Sequence, residues 1–135
     1  AHEMLAHALL SQVSVRPGLR LKGGLAAHQR RHLVEFIDSQ LAEAISLGQL
    51  AALCALSEYH FARMFRESFG LPPHQYVLAR RLSRARELLR STSQPLGEIA
   101  LACGFASASH FTNRFRLALG GTPGEYRQAL YNKKA

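Results

Sequence analysis

Apolar residues recur at three- and four-residue steps along most of this chain, the rhythm of helices laid against a core, so the pattern predicts an all-α protein. Met4, Leu5, Ala8, Leu9 and Val13 predict a short helix over 3–13, and Pro17, Gly18, Gly23 and Gly24 then break it into a linker. Leu33, Phe36, Ile37 and Leu41 predict an amphipathic helix over 28–44, with Arg30, Arg31, Glu35 and Asp38 toward water. Ser46 followed by Gln49 is a capping-box signature that opens a short helix in "SLGQLAALC". Ser57 as N-cap and Gly70 just past the last turn bracket a further helix, Glu58–Phe69. Pro72 and Pro73 open a longer helix over 74–91. Tyr76, Leu82, Ala85, Leu88 and Leu89 share one of its faces, and Arg80, Arg81, Arg84, Arg86 and Arg90 cover much of the rest.

The pattern then repeats. "LGEIALACGF" (96–105) echoes "LGQLAALCAL" (47–56), with Cys103 on Cys54. After one extra residue in the turn, "HFTNRFRLALGGTPGEY" (110–126) echoes "HFARMFRESFGLPPHQY" (60–76). Ser107, Phe111, Phe115, Gly120, Pro123 and Tyr126 thereby match Ser57, Phe61, Phe65, Gly70, Pro73 and Tyr76. Thr122-Pro123-Gly124-Glu125 is another helix start, with Pro at the first helical position and Glu at the third. Seven helices follow the linker, and no strand is predicted. The organisation is an interdomain helix and linker (1–27), a first helix-turn-helix subdomain (28–73), a connecting helix (74–91), a second helix-turn-helix subdomain (92–131) and a basic tail (132–135).

In each repeat one helix pairs a phenylalanine stripe with an opposite polar stripe. Phe61, Phe65 and Phe69, and Phe111, Phe115 and Leu119, are the core positions. Tyr59, Ala62, Arg63 and Arg66 form the outward stripe of the first helix, and Ser109, Thr112, Asn113 and Arg116 that of the second. Arg forks onto guanine, Asn pairs with adenine, and Thr or Ala meets a thymine methyl, so both stripes suit a major groove. A connecting helix of about 17 residues rises roughly 25 Å, enough with its flanking turns to set two readers one duplex turn (~34 Å) apart. The N-cap serines Ser57 and Ser107, together with Arg80, Arg81 and Arg84, are the expected phosphate contacts.

Charge strengthens this picture. The 135 residues carry a net charge of +8, which makes a polyanion the first partner to consider. Most of that charge lies in the repeated half: residues 57–135 hold 12 Lys/Arg against 5 Asp/Glu, a net of +7. Two matched cysteines without a CxxC, and scattered histidines, support neither a disulfide framework nor a zinc site. Buried, unreactive packing is the expectation for both thiols. His28 and His32 stand one helical turn apart, but no further ligands accompany them in an obvious pattern. No metal or cofactor is expected.

The elements "RLxxAxxLL", "IAxxxGF", "SHFxxxFR" and "GxxPxxY", in that order at 81–89, 99–105, 109–116 and 120–126, resemble the DNA-binding domain of the AraC/XylS transcription regulators. With the helix at 28–44, the resemblance covers about 100 residues. It implies a transcription regulator, commonly an activator, that contacts promoter DNA and RNA polymerase at the bacterial nucleoid in the cytoplasm. It also implies that residues 1–15 are the tail of a preceding sensor and dimerisation domain, where any effector binds, leaving this fragment monomeric. Carried over by position, the two outward stripes are the base-reading sets. Ala62 and Ser109 are shorter than the side chains common at those positions in relatives, so methyl contacts or DNA shape would act there, and the second helix is either a base reader or a phosphate anchor. His60 and His110 either touch phosphate or bridge helix and backbone, and Tyr76 and Tyr126 are packing residues.

Catalysis is not expected: no nucleophile has a base and an orienting group, and no glycine-rich phosphate loop follows a strand. DNA-repair methyltransferases that share such a domain need additional cysteines, which this chain lacks. The remaining alternative is a basic adaptor that uses the arginine-rich helix to bind acidic protein or a membrane surface.

Overall fold

The computed structural model describes residues 24–134, which form seven helices without a strand among them. These are α1 (Ala27–Ser39), α2 (Leu47–Leu53), α3 (Glu58–Phe69), α4 (Pro73–Ser91), α5 (Leu96–Ala102), α6 (Ala108–Leu119) and α7 (Pro123–Lys134). The predicted helix over 3–13 and its linker lie outside the described residues.

Local chemistry sets most boundaries as the sequence suggests. The Ser46 hydroxyl accepts from the Gln49 amide at 3.1 Å while the Gln49 side chain accepts from the Ser46 amide at 2.8 Å. Thr122 and Glu125 repeat this reciprocal cap at the start of α7, at 3.1 and 2.9 Å. These bonds hold the exposed Glu125 carboxyl below its ordinary range. Gly70 and Gly120 end α3 and α6 in the left-handed conformation, each amide donating at 2.8 Å to the carbonyl of Arg66 or Arg116.

Three boundaries or faces differ from expectation. α1 stops at Ser39, five residues short, because the chain turns there through bonds from the Gln40 amide to Ile37 and from the Glu43 amide to Gln40. The last basic residues are not a separate tail, since α7 runs on to Lys134. Arg30 does not face water: it is fully buried, and its guanidinium donates to the Leu25 carbonyl. The incoming segment lies over that side of α1, with Leu25 buried and its amide donating to Ser68 Oγ at 2.6 Å. Arg30 therefore shares the buried side of α1 with Leu33 and Ile37.

The helices enclose two cores, one per unit. Leu33, Ile37, Leu50, Phe61 and Phe65 fill the first; Ile99, Cys103, Phe111 and Phe115 fill the second. Burying each phenylalanine contributes about 2–3 kcal/mol. α4 serves both cores, giving Tyr76, Val77 and Ala79 to the first and, one turn on, Leu82, Ala85 and Leu89 to the second. The repeat extends to ring geometry: Tyr76 stands edge-on to Phe65 at 5.4 Å, and Tyr126 edge-on to Phe115 at 5.7 Å.

Three arginines join the parts. Arg80 grips Asp38 of α1 through two bonds of 2.8 and 3.1 Å. Arg81 donates from Nε to the Leu41 carbonyl at 3.2 Å and from Nη2 to the Glu43 carbonyl at 2.7 Å. Arg127 of α7 donates to the carbonyls of Leu89, Thr92 and Gln94, closing the C-terminal end of α4 where a cation is favoured.

Both cysteines are buried. Burial pushes the Cys54 thiol up from 9.0, and it pushes Cys103 to about 11 against the opposing pull of Arg84 and Arg81. Burial likewise takes the Tyr76 hydroxyl from 10.0 to about 12. The folded chain holds these protons more tightly than the unfolded chain does. These three groups should therefore leave stability level from neutral pH to about 9 and lower it as pH rises through 9 to 11, by about 2–3 kcal/mol for Cys103 alone. Urea midpoints at pH 7.5, 9 and 10.5 test this; an unchanged midpoint at 10.5 contradicts it.

Candidate nucleic-acid interface

α3 and α6 are each held from behind by two buried phenylalanines, Phe61 and Phe65 in one and Phe111 and Phe115 in the other. Their opposite faces point to solvent. On α3, Tyr59 is 77% exposed, and Arg63 and Arg66 are exposed on the same face. Neither arginine has a carboxylate within ion-pair distance among the described residues. Ala62 sits at the edge of that face: it is half-buried and lines a cavity of about 280 Å³ with Ile45, Leu47, Leu50 and Val77.

The second set is gathered more closely. Ser109, Thr112, Asn113 and Arg116 line one shallow depression of about 310 Å³ with Ala108. Thr112 is half-buried there and the other three are exposed. Arg116 Nη2 donates to Asn113 Oδ1 at 3.2 Å, which turns the Asn113 amide so that its NH₂ remains available to an acceptor.

The expected phosphate contacts divide. The Ser57 and Ser107 hydroxyls cap α3 and α6, accepting from the His60 and His110 amides at 3.2 and 3.0 Å, and keep a hydroxyl proton to donate outward. Both histidine side chains are exposed; His110 lies edge-on to Phe105 at 5.7 Å, and its Nε2 accepts from Arg114 Nε at 3.4 Å. Arg84 is half exposed, with Glu87 at 3.5 Å. Arg80 and Arg81 each commit Nε and Nη2 within the fold, to Asp38 and to the Leu41 and Glu43 carbonyls respectively. Arg114 was not singled out from the sequence, yet it is an exposed cation without a carboxylate partner among the described residues. Its spacing of four from His110 was the available signal.

Tyr76 is buried, and Tyr126 is half-buried beneath the Arg86 guanidinium, 5.6 Å from its ring centroid. Both are packing residues. Among the described residues no helix is long and apolar enough to cross a membrane, and no three potential ligands gather for a metal ion.

Two helix-turn-helix units on a shared helix, each with the polar face of its second helix turned outward, define a double helix-turn-helix domain. Known proteins place it further. Residues 50–129 match the family model described as a helix-turn-helix domain. The chain is 36% identical over 117 residues to the HTH-type transcriptional activator RhaS of Escherichia fergusonii, covering 86% of this chain and 42% of RhaS. Its fold matches the DNA-binding domain of the global transcriptional factor AdpA, solved with a target DNA, at TM-score 0.74 and 31% identity over 77% of this chain and 94% of that one. It also matches an AraC-type regulator from Chromobacterium violaceum at TM-score 0.70 and 33% identity, over 76% of this chain and 92% of that one. The chain belongs to the AraC-type helix-turn-helix family, whose members are transcriptional regulators that bind DNA. It spans between 29% and 46% of the length of RhaS and other curated relatives.

Proposed function

We propose that this domain binds double-stranded promoter DNA in a sequence-dependent way, laying α3 and α6 in two successive major-groove segments. The observation that carries the reading is the pair of outward stripes, Tyr59, Arg63 and Arg66 on α3 and Ser109, Asn113 and Arg116 on α6, each on a helix whose other side is buried. Arg63 and Arg66 suit guanine, and the Asn113 amide suits a purine acceptor edge. Ala62 and Thr112, recessed at the edge of their faces, offer methyl groups to thymine. α4, 19 residues long, rises about 28 Å, a span compatible with readers one duplex turn apart.

Phosphate contacts fall to Ser57, Ser107, His60, His110, Arg84 and Arg114, which hold register without reading sequence. Arg80 and Arg81 act through the fold. Regulation of transcription with RNA polymerase as a partner, an effector bound by another domain, a monomeric fragment, dimerisation of a longer chain and a place at the nucleoid complete the reading. The adaptor alternative is disfavoured because α4 buries its apolar face, Tyr76, Leu82, Ala85 and Leu89, between the two units and leaves no lipid-facing stripe.

Selection from a random duplex library at near-physiological salt should enrich two short blocks about 10–11 base pairs apart. Enrichment of one block would mean that only one helix reads bases. No enrichment, or a preference for anionic vesicles titrated beside duplex DNA, would sink the proposal.

A further inference from the structure

We infer that Arg81 and Gly104 bolt the two helix-turn-helix units into one rigid reader, so that Arg81 sets the spacing between base-pair blocks that the protein accepts. The inference rests on the two-segment reading above and assigns a positioning residue to it.

Three parts of the chain meet at this point. Arg81 belongs to α4, where the helix passes from the first core (last member Ala79) to the second (first member Leu82). Its guanidinium spans two carbonyls of the α1–α2 loop, Leu41 and Glu43, which belong to the first unit. Gly104, in the α5–α6 turn of the second unit, closes on the same spot. A Cβ built there would lie 2.0 Å from the Leu41 oxygen and 2.7 Å from Arg81 Nε. The second reader's turn is thus seated directly on the loop and guanidinium of the first unit.

Each unit packs its own hydrophobic cluster on a different stretch of α4, and the buried residues of the two clusters are separate. The angle between the units depends on α4 and on this polar junction. A planar guanidinium can donate to two carbonyls at once in a fixed fork; an ammonium on a flexible stem holds no such plane. Arg81 is also half-buried and has no carboxylate partner among the described residues, so its partners here are the backbone oxygens.

The consequence on DNA is geometric. With about 10.5 base pairs per turn and 3.4 Å per step, inserting two pairs between the blocks turns the second by roughly 70° and moves it about 7 Å. A rigid reader loses its second set of contacts; a loosened one follows.

The test measures affinity of the 135-residue chain for duplexes whose two selected blocks stand at the preferred spacing, or two base pairs nearer or farther. Wild type should lose about 30-fold or more on either change, whereas Arg81→Met should lose less than about fivefold while binding the preferred spacing within about tenfold of wild type. Circular dichroism checks that the variant is folded. If Arg81→Met is not, Arg81→Lys, which keeps the charge but not the fork, should show the same flattened profile. A folded variant of either kind with the wild-type spacing profile would overturn the inference. A wild type indifferent to spacing would overturn the two-segment reading, and this inference with it. General loss of stability lowers binding at every spacing and does not flatten the profile.

Discussion

Gly104→Ala should destabilise the domain by about 3–5 kcal/mol, among the larger effects a single methyl group produces. Gly104 has φ of +86°, where an L-residue pays about 1–2 kcal/mol. The larger part comes from the contact: the new Cβ would sit 2.0 Å from the Leu41 carbonyl oxygen, a backbone atom of the other unit. Relieving that clash means moving the α5–α6 turn or the Leu41 loop, and either move strains the Arg81 bonds. The first unit supplies the control. Ala55 occupies the same turn position with φ of +54°, so an alanine is accommodated there. Ala55→Gly should change stability by less than about 1 kcal/mol, because relief of strain and the added freedom of the unfolded chain oppose each other. Urea unfolding of the two variants decides the matter; a Gly104→Ala midpoint near that of wild type would mean that the junction is soft.

Arg63→Ala should lower affinity for the selected site by about 1–3 kcal/mol, roughly 5- to 150-fold, and relax the base preference beneath it. Arg63 is exposed, free of a carboxylate partner among the described residues, and one turn from Tyr59 on the solvent face of α3. No hydrogen bond or ion pair among the described residues uses its guanidinium, so the melting temperature should hold while binding falls. Arg84→Ala should instead weaken specific and random duplexes alike and reduce the salt dependence by about one counterion. Competition of selected against scrambled duplex separates the two. Equal loss on both for Arg63→Ala would place Arg63 on phosphate.

The helix order, both N-cap serines, the capping boxes, the phenylalanine stripes and the matched cysteines were legible in the residues. Their causes are local: a serine three residues before a free amide caps it whatever lies beyond, and a 3.6-residue apolar rhythm needs only some core to face. The outward stripes were legible by subtraction, because a helix with one buried face has the other left over. Ala62 and Thr112 fell at the border of those stripes, where periodicity resolves a side chain only to within half a turn.

The arginines divided differently. Arg30, Arg63, Arg80, Arg81, Arg84 and Arg127 look alike in a sequence, each a cation on a helix otherwise patterned by its neighbours. Arg30 and Arg81 were sorted by carbonyls that arrive from outside the helix, at Leu25 and at Leu41 and Glu43. Arg80 was sorted by Asp38, 42 residues away, and Arg127 by the end of α4. The one-dimensional pattern thus settled that this chain is two copies of a helix-turn-helix around a shared helix, because hydrophobic periodicity and capping act within a few residues. Which cations are engaged within the fold and which stand exposed was decided only by the tertiary structure, because a guanidinium is defined by the acceptors that long-range packing brings to it.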